Sequence, residues 1–428
     1  MTKVLTVHGD TTGAQMHRRL GSFEHLLWLV DQWTPRHFIF VSRIEGAPIG
    51  VDDLRFALLQ AQLRHPILRT AIKENRDGIP EFIPSDAPIR LRVVQWTDRT
   101  QWLHEVEAQL GIPFEREDQP LVRVSLVQGD GTSELILVIH HSIGDGLSAA
   151  LLVRDLLESM EGHRLAEMPP RSAFEDILDF GGMGRLNPPQ PPATNFNGVA
   201  QPGLPQAPSL QVFEIKPEEL TGILSCCRRE GTTFHAAMIA ALLLTLRGKE
   251  EVRCLSPVNI RSLLPGVTDD FGLFISSGTA TLNRNTAPDF WSLARTVREE
   301  TVQAFDLHML QAKESAMASM LAGTLSPQEA YEGIWRRGNY HAVFTNLGRL
   351  PEMPRLKRFR LSAAYLFLSP ELEPVVAAVT VNERAFITIS APSVPADMSS
   401  RFFDQLWGAS EIAHAQSCGI MSASIVSR

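Results

Sequence analysis

Between Arg185 and Leu210 the chain carries Pro188-Pro189-Gln190-Pro191-Pro192, then Pro202, Pro205 and Pro208, with glycine and asparagine between them. Proline fixes φ and brings no backbone N–H, so this density supports neither a helix interior nor a sheet ladder. The segment reads as a crossover linker, residues 185–210, between an N-terminal part, residues 1–184, and a C-terminal part, residues 211–428. Each part is long enough to bury a core without disulfide or metal staples. No sequence repeat relates the two.

Helical and strand patterns are mixed on both sides of the seam, which places the chain in the α/β class. Phe23 to Val30 reads as a helix with Ser22 at its N-cap, His37 to Ser42 as a strand, and Val51 to His65 as a buried helix. Leu121 to Val127 alternates apolar and polar, the turn residues Gln128-Gly129-Asp130-Gly131 follow, and Leu135 to Ile139 is a continuous apolar run. Together they predict a hairpin whose second strand is covered on both faces. Beyond the seam, Leu220, Ile223, Leu224 and Cys227 recur at helical spacing after Pro217, and Thr233 is placed to cap an all-apolar helix from Phe234 to Leu246. Strands are expected at Glu251 to Leu255, His341 to Thr345, Val375 to Val381 and Ala385 to Ser390.

A net charge of -8 without basic runs argues against a nucleic-acid or anionic-membrane partner. No window approaches a transmembrane span, and Met1 to His8 lacks the apolar stretch of a secretory signal. Cys226, Cys227, Cys254 and Cys418 form no CxxC pair, so the expectation is a reduced, cytoplasmic protein with neither disulfide framework nor zinc site.

The segment that carries chemistry is His140-His141-Ser142-Ile143-Gly144-Asp145-Gly146. It follows the buried strand and precedes the apolar helical stretch Leu147 to Met160. A sheet end holds a side chain rigidly, and glycines leave room beside it. A neutral imidazole there is suited to accept a proton near neutral pH.

This HHxxxDG pattern resembles the superfamily of condensation domains, polyketide-associated acyltransferases, BAHD acyltransferases and wax ester synthases. Five further segments resemble it in order: Leu20-Gly21-Ser22-Phe23-Glu24, His65-Pro66-Ile67-Leu68-Arg69-Thr70, Pro257-Val258-Asn259-Ile260-Arg261, Asp270-Phe271-Gly272-Leu273-Phe274 and Thr345-Asn346-Leu347-Gly348. In the fourth, Leu273 and Phe274 depart from the BAHD form DFGWG. The resemblance implies two chloramphenicol acetyltransferase-like α/β subdomains in a V-shaped pseudo-dimer, with His141 at the floor of an interdomain tunnel. It implies acyl transfer from a thioester, on CoA or a carrier protein, to a hydroxyl or amine, with no cofactor beyond the CoA or phosphopantetheine of that co-substrate. His141 is then the general base and His140 packs behind the loop. Asp145 pairs with Arg261, Gly146 leaves space for the thioester, and Thr345, Asn346 and Asn259 are candidates for substrate or oxyanion contact. A monomer is expected.

Other readings stand beside this one. The histidines and Asp145 are metal-ligand types, although no HxxxH or HExxH pattern accompanies them, or they are structural groups at a turn. Asp145 has the alternative of orienting His141 as in a triad. At the level of function, a free-standing condensation enzyme joining two carrier-bound substrates and a non-catalytic binding module are the alternatives. His235 reads as a packed histidine, and Asp269 with Asp270 as neighbours pointing to opposite sides.

Overall fold

The computed structural model describes residues 15–115, 118–129, 131–178, 208–286, 288–323, 325–353, 355–369, 373–392, 397–410 and 421–423. The proline-rich linker, but for its last residues, and Cys418 lie outside them.

Two mixed sheets organise the chain. The first has five strands, in the order Phe359–Leu368, His37–Gly46, Thr132–His140, Val122–Gln128, Arg90–Gln95. Val122–Gln128 and Thr132–His140 form the expected antiparallel hairpin, and the second of these runs three residues earlier and one later than its apolar stretch. Leu135 to Ile139 are all fully buried, the reason that strand is apolar throughout instead of alternating.

The second sheet has seven strands, in the order Ile275–Asn283, Glu251–Asn259, Ala342–Arg349, Val375–Val381, Arg384–Ala391, Ser209–Ile215, Met421–Ala423. Its central strand Val375–Val381 is covered on both faces. Val376 and Ala378 face a core with the helices Phe234–Thr245, Phe290–Val302 and Met398–Ser410, whereas Ala377, Val379 and Val381 join the core of the first sheet. The apolar helix Phe234–Thr245 is the buried core helix its composition predicts, and Thr233 caps it by accepting from Ala236 N.

Phe359–Leu368 lies in the C-terminal part of the sequence yet pairs antiparallel with His37–Gly46. It adds an edge to the N-terminal sheet, and Tyr365 packs against Trp102 at 5.0 Å and against Phe386 of the second sheet at 5.3 Å. Thr388 Oγ1 donates to Leu366 O at 2.5 Å across the same seam. The two sheets are therefore joined by one continuous apolar interior.

The start of the first helix differs from expectation. The first helix runs Ser22–Asp31 with Gly21, not Ser22, at the N-cap, because Glu24 reaches back and its Oε2 accepts from Gly21 N at 2.8 Å. Glu24 is held there by Arg18, through a fork of 2.6 and 2.7 Å.

The crossing strand predicts a specific sensitivity. Phe367 is fully buried, so Phe367→Ala should lower unfolding free energy by about 3–5 kcal/mol. Urea denaturation checks this, and a loss below about 1 kcal/mol would mean the strand is not seated as described.

Candidate active site

Asp145 is the N-cap of the helix Gly146–Met160, its Oδ1 accepting from Ser148 N at 2.8 Å. That cap is built into the motif, since Asp is among the preferred N-cap residues. The same carboxylate is forked by Arg261, Nη1 to Oδ2 at 2.9 Å and Nη2 to Oδ1 at 3.1 Å, and Oδ2 also accepts from Phe274 N at 2.9 Å. Ser148 Oγ completes the knot. It donates to Gly272 O at 2.8 Å and accepts from Arg261 Nη2 at 2.8 Å and Gly272 N at 3.1 Å. Both charges are buried, Asp145 being 1% and Arg261 6% exposed. Burial alone would raise the Asp145 carboxyl, but the Arg261 charge and the backbone donors outweigh it and hold it below the usual range.

His141 is placed by this loop. Its backbone N–H donates to Arg36 O at 2.8 Å, and its Nδ1 lies 2.9 Å from Gly144 O. A carbonyl oxygen only accepts, so Nδ1 carries the proton and Nε2 keeps a lone pair. The ring is half-buried and tilted against Phe38 at 4.9 Å. Burial pushes its pKa below the ordinary histidine value, with the Asp145 charge opposing. His140 faces the other way. Its Nδ1 accepts from Ser142 N at 3.1 Å, and its Nε2 lies 3.4 Å from Asp31. Burial would raise Asp31, but His140 and the Arg36 N–H bring it down to about 2.

Two cavities meet at His141. The smaller is lined by Gly146 and Leu147 from one side and by Asn259, Thr345, Asn346 and Leu347 from the other. The larger, about 480 Å³, runs between Phe23, Leu26 and Phe174 of the N-terminal part and the second sheet. His141, Pro257, Ile275 and Leu368 border both. The candidate residues other than His140 and Arg261 thus converge on one space; His140 lies behind it, and Arg261 reaches it only through Asp145.

Asn346 Oδ1 accepts from Gly348 N at 2.8 Å, and Asn259 Oδ1 from Arg261 N at 3.1 Å. With their oxygens engaged, both carboxamides keep NH₂ donors with no hydrogen bond among the described residues. Gly146 has a packing reason as well: a Cβ there would sit 2.6 Å from Leu347 Cδ2. Asp269 and Asp270 do point apart, to Arg154 at 2.8 Å and Arg171 at 2.5 Å. His235 packs against Phe344 at 5.2 Å and pairs with Ser256 Oγ at 2.9 Å. Among the described residues, no group of three or more His, Cys, Asp or Glu side chains is arranged to hold a metal ion, and no helix is long and apolar enough to cross a membrane.

The sequence reading missed Ser148 and Asp31. Ser148 had a signal, standing at the third helical position after an Asp cap. Asp31 had none, because its partner His140 is remote in sequence.

The fold is the one seen in solved condensation domains and in a solved acetyltransferase. Residues 39–179 match the condensation domain family. The chain is 24% identical over 324 residues, 68% of its length, to a linear gramicidin synthase of Brevibacillus parabrevis. It spans between 6% and 12% of the length of the first curated synthases it matches. Among solved structures, polyketide synthase associated protein 5 from Mycobacterium tuberculosis superposes with TM-score 0.66 at 17% identity, covering 92% of this chain and 98% of that one. The trichothecene 15-O-acetyltransferase TRI3 from Fusarium sporotrichioides gives 0.66 at 13%, covering 94% and 96%.

Two measurements follow from this geometry. Arg261→Met leaves a buried carboxylate without its partner and should cost about 3–5 kcal/mol by denaturant unfolding. Because the folded pKa of Asp145 is depressed, its contribution is present above about 3.9, the unfolded value, and is lost as pH falls through the folded one. Gly146→Ala should destabilise by about 1–3 kcal/mol. Adding Leu347→Ala should recover part of that loss, and strict additivity of the two in a double-mutant cycle would contradict the packing contact.

Proposed function

We propose that the protein moves an acyl group from a thioester, on CoA or a carrier protein, to a hydroxyl or amine, with His141 as general base. The observation that carries this reading is the free Nε2 lone pair of a half-buried imidazole at the meeting of two cavities. A thioester carbonyl is already activated, so the tasks left are alignment, removal of one proton and stabilisation of the oxyanion.

Nε2 takes the acceptor's proton as the oxygen or nitrogen attacks the carbonyl. The imidazolium so formed remains bonded through Nδ1 to Gly144 O, and it returns the proton to the departing sulfur. The side-chain amides of Asn259 and Asn346 and the Thr345 hydroxyl are the donors nearest at hand for the oxyanion. Asp145 serves by fixing the loop: its oxygens are occupied by Arg261, Ser148 and Phe274, and Gly144 O is the partner of His141 Nδ1. This favours the structural role for Asp145 over a triad.

The condensation-domain match keeps a second reading, in which both substrates are carrier-bound and the acceptor is an amine. An O-acetyltransferase and condensation domains superpose equally well over the full chain, so both readings stay in view. A donor panel of acyl-CoAs and acyl-carrier proteins, read by mass spectrometry with small hydroxyl and amine acceptors, separates them.

His141→Ala should reduce turnover by at least about 100-fold without loss of fold, and near-normal turnover would end the base assignment. Because burial lowers the His141 pKa, neutral imidazole persists to lower pH. The acid limb of the kcat/KM profile should therefore fall below about 6.5, the ordinary histidine value.

A further inference from the structure

The helix Leu307–Leu321 presents Leu310, Lys313, Met317 and Met320 to the larger cavity, a spacing that places them on one helical face. That face is apolar except for Lys313. A cation at a position the pattern reserves for apolar side chains is a departure that a packed core does not require. Its ammonium donates to Ser277 O and makes no ion pair with a carboxylate among the described residues. Burial pulls its pKa down with no charge opposing. A partly desolvated charge ordinarily has a counter-ion, and here the open space beside it is a ligand cavity. Glu373 borders the same cavity, but burial shifts it toward the neutral acid, and the charge that opposes this shift is Lys249.

The cavity's shape sets what fits. Pro257, Leu255 and Arg253 lie on one face of a single strand and all line it. It therefore extends roughly 13 Å from the His141 end, at the strand rise per residue. Ser277 pairs with Pro257, so Lys313 stands near that end, while Arg253, stacked by Tyr340 at 5.8 Å, stands at the far one. The methionines give an adaptable wall between.

We infer that Lys313 is a specificity-determining residue that reads a carboxylate on an otherwise aliphatic substrate held in this cavity. The inference rests on the acyl-transfer reading of the same site and names its substrate class. The carboxylate is carried either by the acyl group or by the acceptor.

Calorimetric titration of the full chain separates the two sources. Butanoyl-pantetheine against butanedioyl-pantetheine reads the acyl side, and 1-butanol against 4-hydroxybutanoate reads the acceptor side. In one pair the carboxylated member should bind at least about tenfold more tightly, and Lys313→Met, which keeps the aliphatic stem, should abolish that preference while leaving the uncharged member's affinity in place. Equal affinities within both pairs would overturn the inference, as would a preference that survives Lys313→Met or is lost only in Arg253→Met. These affinities require no turnover, so an active His141→Ala variant would sink the base reading without deciding this one.

Discussion

One buried carboxylate ties the loop that carries His141 to the other part of the molecule. Asp145 caps the helix behind the site, receives the Arg261 fork from the C-terminal part, and accepts the Phe274 N–H. Burying one of these charges alone would cost several kcal/mol; paired and fully hydrogen-bonded, they hold a defined geometry instead. Ser148 lets the arrangement close, because one hydroxyl serves Arg261 and both backbone groups of Gly272. The loop between His140 and Gly146 has little freedom once these bonds are made.

The chemistry inherits that rigidity. Gly144 O is fixed by the loop, and it fixes the His141 tautomer. The proton on Nδ1 leaves the basic nitrogen on the side where the cavities meet. Burial then tunes the base, disfavouring imidazolium until a proton is actually taken up. The Asp145 charge, opposing that trend, tempers it and favours the imidazolium formed during transfer. One loop thus supplies both the position and the protonation state that a general base needs.

What was legible in the sequence was local. The apolar run before His140, the Gly-Asp-Gly turn and the helix after it lie within a short stretch, so strand, turn and helix declared themselves together. The Pro217 start and the Thr233 cap were equally local. Ser22 has the residue type of a cap but does not serve as one, because Glu24 satisfies the helix end from inside the first turn, a choice made by Arg18 and not by the cap residue type. The strand Phe359–Leu368 was not anticipated, since its partner belongs to the other part of the chain. Gly146 looked like room for substrate, yet the atom nearest its missing side chain belongs to Leu347. Lys313 was invisible for the same reason: the stripe it interrupts acquires meaning only when the cavity it faces is known.

The chemistry depends on the protonation state of one ring, and nitrogen NMR of the full chain with ¹⁵N-labelled histidine reads it directly, with His141→Gln for assignment. At pH 7 the His141 signals should show a protonated Nδ1 and an unprotonated Nε2. A proton on Nε2, or an imidazolium at that pH, would contradict the account, because the nitrogen facing the cavities would then have nothing with which to accept the acceptor's proton.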